Sequence, residues 1–60
     1  MRYLIKYIKD MDFVGTESFT GSLDEATTVA AAGMKKYNAE TAAVMAEDDS
    51  DGRPKALLNA

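Results

Sequence analysis

The sequence predicts an α+β fold of order ββαββ, an antiparallel sheet with one helix packed on one of its faces. Three observations lead to this prediction. Residues 3–9 and 13–20 show the two-residue alternation of strands. Residues 23–37 repeat small and apolar side chains with the period of a helix, and residues 41–59 divide into two short strand-like segments. The chain has 60 residues, which we assign to a single small domain, 1–60.

The first hairpin is predicted from the alternation in residues 3–20. It places Tyr3, Ile5 and Tyr7 on one face of the first strand, and Leu4, Lys6 and Ile8 on the other. The segment KDMD then supplies acidic turn residues. The second strand, residues 13–20, has a polar face formed by Thr16, Ser18 and Thr20. Gly15 interrupts this strand and is predicted to mark a β-bulge, which changes the side chains that point inward.

The helix over residues 23–37 is predicted from signals at both of its ends. Ser22 fits the N-cap, and Glu25 stands at the capping-box spacing. Lys35 and Lys36 complement the helix dipole in the last turn, and Asn38 can adopt the left-handed conformation that ends a helix. A stripe of mostly small residues should face the sheet: Leu23, Ala26, Val29, Ala30, Gly33, Met34 and Tyr37.

Residues 39–60 allow two interpretations. They are rich in alanine and could form a second helix beginning at Asn38. They also fit a strand over residues 41–47, a turn with the Asp51-Gly52 signal and a strand over residues 53–59. We predict the strands, because one hairpin with one helix leaves too little sheet to be stable. Pro54 suits an edge strand or the start of a strand.

Composition argues against most catalytic chemistries. The chain has no Cys and no His, so it has no thiolate nucleophile, no Ser-His relay and no Cys or His cluster for zinc. We therefore predict no catalytic residue, no cofactor and no metal centre. The net charge of −3 disfavours nucleic acid as a partner. Because no segment has the ~20 apolar residues of a membrane span, we expect a cytoplasmic protein that does not enter membranes.

Two polar segments resemble ligand sites and are better explained as structure. Free amides at the start of the helix could bind an anion, but Ser22 and Glu25 should occupy those donors. The segment EDDSDG, residues 47–52, matches part of a calcium loop. The position that needs a bidentate Glu falls on Leu58, so we interpret the segment as a solvated acidic turn that binds cations weakly at most.

The sheet face without a helix is the predicted interaction surface. Candidate interface residues are Leu4, Ile8, Val14, Leu57 and Leu58, although alternation prevents all of them from facing one way. A small chain without disulfides gains from self-association, so we predict a homodimer through this face or through sheet edges. If the first and last strands adjoin, a basic patch could also form there and bind nucleic acid weakly: Arg2, Lys6, Lys9 and Lys55.

The order of hairpin and capped helix resembles the first half of HicB-type antitoxins. The resemblance covers about residues 2–37 and depends on Gly21, Ser22, Glu25 and Ala26 at the helix start. The sequence lacks the Pro-Gly region of that family and a separate DNA-binding segment. The chain also looks similar to short bacterial ββαββ proteins with no assigned role. The HicB resemblance implies an antitoxin-like regulatory protein that binds a basic partner, such as a small toxin or RNase, through its acidic surface.

Overall fold

The computed structural model describes residues 1–48 and 52–59, and it has the predicted ββαββ order. The elements are β1 (Arg2–Lys9), β2 (Asp12–Thr20), α1 (Leu23–Tyr37), β3 (Thr41–Ala46) and β4 (Ala56–Asn59). The strands form one antiparallel sheet in the order β2-β1-β3-β4. Since β3 lies between β1 and β4, the first and last strands do not adjoin, and the condition set for the basic patch is not met.

The hairpin of β1 and β2 contains the predicted bulge. Asp10 and Met11 form the turn, with φ of 52° and 68°, the sign that a two-residue type I′ turn requires. Tyr7 pairs with Gly15, whereas Ile8 pairs with Phe13, so Val14 is an extra residue in β2. The pleat therefore changes phase at Val14, directly before Gly15.

Helix α1 begins and ends where the sequence predicts. The Ser22 hydroxyl accepts a hydrogen bond from the Glu25 amide at 3.1 Å, and the Glu25 carboxylate accepts one from the Ser22 amide at 3.1 Å. Both halves of the capping box are thus present. At the other end Asn38 is left-handed, with φ 56° and ψ 42°. These local hydrogen bonds satisfy backbone groups that a helix end otherwise leaves unpaired.

Thr41–Ala46 and Ala56–Asn59 form strands, and the described residues after Asn38 contain no second helix. β3 pairs with β1 on one side and with the short β4 on the other, which completes the four-stranded sheet. Asp51, half of the predicted turn signal, lies outside the described residues. Gly52 has φ 70°, which suits glycine.

The core lies between α1 and one face of the sheet. Its largest fully buried side chains are Tyr7, Ile5 and Val44, and much of the remainder is alanine. Small residues let the helix lie close to the strands. At Gly33 an added Cβ would collide with the hydroxyl and ring of Tyr7, so this position has no room for a side chain. Glycine destabilises a helix by ~1 kcal/mol relative to alanine, but at this position it allows the close contact between α1 and Tyr7.

Candidate interaction surface

The sheet has one face without a helix, which we call the open face. Its members are fixed by the register, since directly paired residues of antiparallel strands point to the same side. They alternate with the core residues of each strand. The open face comprises Arg2, Leu4, Lys6 and Ile8 of β1, Phe13, Thr16, Ser18 and Thr20 of β2, Thr41, Ala43 and Met45 of β3, and Leu57 and Asn59 of β4.

Nearly half of the open face is apolar, and all of its apolar residues except the buried Ala43 are at least partly exposed to solvent. Its apolar residues are Leu4, Ile8, Phe13, Ala43, Met45 and Leu57. Phe13 is 68% exposed and Leu57 is 61% exposed. Ile5, on the covered face of β1, is completely buried. The difference arises from the helix, which covers one face of the sheet and leaves Phe13 and Leu57 on the other face exposed to water.

The polar half of the open face is rich in hydroxyl groups and poor in charge. Thr16, Ser18 and Thr20 line β2. The Lys6 ammonium lies 5.5 Å from the centre of the Phe13 ring, within the range of a cation–π contact. At one corner Arg2 Nε is 2.9 Å from Glu47 Oε2. The surface is therefore an apolar patch with a row of hydroxyl groups beside it and one lysine near its centre.

The predicted interface residues divide between the two faces. Leu4, Ile8 and Leu57 lie on the open face, while Leu58 packs against the core on the helix side. The prediction that Leu58 belongs to the interface is therefore wrong, because Leu58 lies on the covered face. Val14 is the inserted residue of the bulge and is 38% exposed.

Sequence reasoning missed Phe13 and Met45, which belong to the open face. Phe13 and Phe19 are an even number of residues apart, so simple alternation places both on the same face of β2. Phe19 packs against the core on the helix side. The inserted Val14 moves Phe13 to the opposite side, beside Ile8. Met45 could have been found from the sequence, because in a strand it points to the face opposite Val44 and Ala46, which are buried.

The predicted basic patch does not assemble as one surface. Arg2 is engaged with Glu47, and Lys6 lies over Phe13. Lys9 pairs with Asp12 at the hairpin end of β1. It is three residues from Lys6, so the two lysines alternate to opposite faces of the strand. Lys55 precedes β4, which β3 separates from β1. Two residues of this set thus lie on the open face: Arg2 at its corner, paired with Glu47, and Lys6 near its centre.

A partly buried polar cluster forms around Glu17 on the covered side. Tyr7 donates its hydroxyl to Glu17 Oε1 at 2.8 Å. The Tyr37 hydroxyl and the Lys36 ammonium both donate to Oε2, each at 3.3 Å. The Tyr7 and Tyr37 rings lie 4.8 Å apart between centroids. The cluster joins the last turn of α1 to the outer strand β2.

The protonation states of this cluster suit structure rather than proton transfer. The Tyr7 hydrogen bond, with help from Lys36 and Tyr37, lowers the pKa of Glu17. Burial, reinforced by the neighbouring carboxylate, raises the pKa of Tyr7. The hydrogen bond to Glu17 raises the pKa of Lys36. Near neutral pH the carboxylate stays charged and the phenol stays protonated, whereas a general acid or base needs a pKa near the working pH.

The two polar segments singled out in the sequence give no built ligand site. Glu25 and Ser22 occupy the helix-start donors. Within the acidic turn Glu47 binds Arg2, while Asp49 and Asp51 lie outside the described residues. Among residues 1–48 and 52–59, no group of three metal-ligating side chains converges.

Comparison of the chain with known protein families, with curated proteins and with solved structures gives no match. The resemblance to HicB-type antitoxins therefore stays a prediction from the sequence. No helix in the described part of the chain has the length and apolar character needed to cross a membrane.

Proposed function

We propose that the protein is a non-catalytic interaction domain that forms a homodimer through the open face of its sheet. The observation that carries this proposal is the apolar half of that face, above all the exposed Phe13 and Leu57. Burying apolar area is worth about 25 cal/mol per Å². A body of this size buries only about 60% of its unfolded surface, so a second copy adds a substantial share of core.

The area of the open face predicts a weak dimer. The four strands have eight, nine, six and four residues. At ~3.3 Å per residue and ~4.8 Å between strands they cover about 430 Å² in projection. Two copies together bury on the order of 900 Å², not counting the additional area of side chains that project from the sheet. This area is near the lower end for specific interfaces. We expect a dissociation constant in the micromolar range.

Lys6 sets the electrostatics of this interface. It lies near the centre of the open face over Phe13, so a two-fold dimer brings the Lys6 ammonium groups of both copies between the sheets. Like charges near each other oppose association. Replacing Lys6 with Leu removes this repulsion and is expected to tighten the dimer by about tenfold, the equivalent of ~1.4 kcal/mol.

Sedimentation equilibrium from about 10 μM to about 1 mM tests the dimer, since this range brackets a micromolar dissociation constant. Leu57→Glu should abolish association without unfolding the chain, because Leu57 is already 61% exposed in the monomer. Ala32→Glu places the same charge on the exposed side of α1 and is the matched control. A wild-type chain that stays monomeric at the highest concentration would overturn the proposal.

Single-stranded nucleic acid is the second candidate ligand of the open face. The pairing of an exposed Phe13 ring with the Lys6 cation supplies a stacking surface next to a phosphate-binding charge. Titration with a short oligothymidylate at low salt, followed by amide shifts at these residues, tests it. Lys6→Leu separates the candidates, because it should tighten the dimer and weaken nucleic-acid binding.

A further inference from the structure

A second apolar surface lies on the other side of the sheet, beside β4. It is a groove of about 370 Å³ between the C-terminal half of α1 and β4. Ala31 and Met34 of the helix and Leu58 of the strand supply its apolar walls, and Lys35 stands at its rim. The groove opens on the helix side of the sheet, so it is separate from the open face.

The strand beside the groove is an edge. In the described part of the chain, β4 pairs with β3 on one side and has no strand on the other. The backbone groups along such an edge match an extended chain, which can bind as an additional strand. Every second side chain of that strand would point to the helix side. Opposite Leu58, such a side chain would enter the groove.

The positive charge of Lys35 at the rim of the groove favours a bound segment with an acidic side chain. Among the described residues, no carboxylate lies within ion-pair distance of Lys35, whereas the adjacent Lys36 binds Glu17. An acidic side chain on the incoming strand would complement Lys35. Since both the groove and Lys35 lie on the helix side, the apolar and acidic residues must be two positions apart.

A second copy of this chain does not supply that pattern. Its β4, Ala56–Asn59, contains no carboxylate. On its other edge strand, β2, the Glu17 carboxylate is already held by Tyr7, Lys36 and Tyr37, and the inserted Val14 breaks the two-residue alternation next to Asp12. The occupant with the required chemistry is a segment of another protein.

We propose that the outer edge of β4 and the groove beside it bind an extended peptide segment of a partner protein by strand addition. The segment places an apolar side chain in the groove and an acidic side chain, two residues away, against Lys35. This site is distinct from the proposed dimer interface, so either can fail without the other.

A peptide titration followed by amide chemical shifts tests the proposal. The probe is a short synthetic peptide in which Glu and Val alternate at every second position and Thr fills the others. The expected result is a set of shifts at residues 34–39 and 56–59, with affinity reduced about tenfold or more by Lys35→Glu. Ala32→Glu is the matched control, because Ala32 is exposed on the same helix but is not among the residues that line the groove.

Two altered peptides test the binding mode. Replacing Glu with Lys should abolish binding through repulsion from Lys35, and replacing a central Thr with Pro should abolish it by removing a backbone donor. Equal binding of either peptide would overturn the proposal. It would also fail if no shifts appear at millimolar peptide, if shifts are confined to the open face, or if dilution without peptide shifts residues 34–39, since a second copy would then cover the groove.

Discussion

The two faces of the sheet are built from the same strands and have different energetics. On β1, Ile5 faces the helix and is completely buried, while Ile8 faces the other way and is half-buried. Tyr7 donates to Glu17 in the interior, whereas Arg2 meets Glu47 at the surface. The covered face thus holds the fold together, and the open face is available for binding. Four predictions test this division, from the largest expected effect to the smallest.

The sharpest test is the same substitution on each face of β1. Ile5→Ala should lower the free energy of unfolding by about 3 kcal/mol, because it leaves a cavity in a packed core. Ile8→Ala should lower it by about 1 kcal/mol, since its side chain is already partly in water. Chemical denaturation of dilute protein measures both values. Equal losses would contradict the division between the faces.

Gly33 tests how closely the covered face is packed. Gly33→Ala places a Cβ against the Tyr7 hydroxyl, and overpacking should outweigh the gain in helix propensity, for a net loss of about 2 kcal/mol. Combining it with Tyr7→Leu should give a smaller total loss than the sum of the single variants. The control is the reverse change one residue earlier, Ala32→Gly, which should cost about 1 kcal/mol through propensity alone. A stabilising Gly33→Ala would show that the helix lies farther from the sheet.

Glu17 tests the polar part of the covered face. Its folded pKa is lowered, so its contribution is complete above the unfolded pKa and is lost as pH falls through the folded pKa. Glu17→Gln should reduce the free energy of unfolding by about 1.5 kcal/mol at neutral pH, because it weakens hydrogen bonds to a charged group. It should also flatten the fall in stability as the pH drops below the ordinary pKa of a glutamate, ~4.3.

The control for Glu17 is an acid at the margin of the open face. Glu47→Gln removes an exposed ion pair with Arg2 and should change stability by less than about 1 kcal/mol. The pKa of Glu25 is also lowered, by its hydrogen bonds with Ser22, so some pH dependence should survive in Glu17→Gln. An unchanged pH profile would show that the cluster around Glu17 does not stabilise the fold.

The hydroxyl groups of β2 should give the smallest effect. Ser18→Ala on the open face is expected to change the free energy of unfolding by no more than about 0.5 kcal/mol. Phe19→Ala, one residue later on the covered face, should cost about 3 kcal/mol because Phe19 packs against the core. Thermal unfolding followed by circular dichroism measures this pair. A large loss in Ser18→Ala would mean that the open face contributes to the monomer's stability.

The features predicted correctly from the sequence depend on nearby residues. The limits of α1 follow from Ser22, Glu25 and Asn38, which act within a few positions of the helix ends. The assignment of β1 side chains to two faces follows from alternation alone. In both cases the interacting groups lie within a few residues in the sequence, so periodicity and residue type were sufficient.

The features that were missed depend on distant or inserted residues. Phe13 lies on the open face because of the single inserted residue Val14, and alternation does not register an insertion. The sheet order depends on which strand pairs with which across the helix, so the separation of β1 from β4 was not foreseen. The cluster around Glu17 joins side chains from two strands and the helix, and no sequence spacing marks it.

The unequal ends of the sheet bear on whether the protein can polymerise. The long outer strand β2 carries a bulge at Val14 and a charged side chain, Glu17, on its inner side, both of which oppose the addition of another strand. The other end, β4, lacks these features and has four residues. A sheet that can extend from one end alone closes after a single addition instead of growing into a fibre. The bulge beside Gly15 thus limits the size of any assembly that the chain forms through the edges of its sheet.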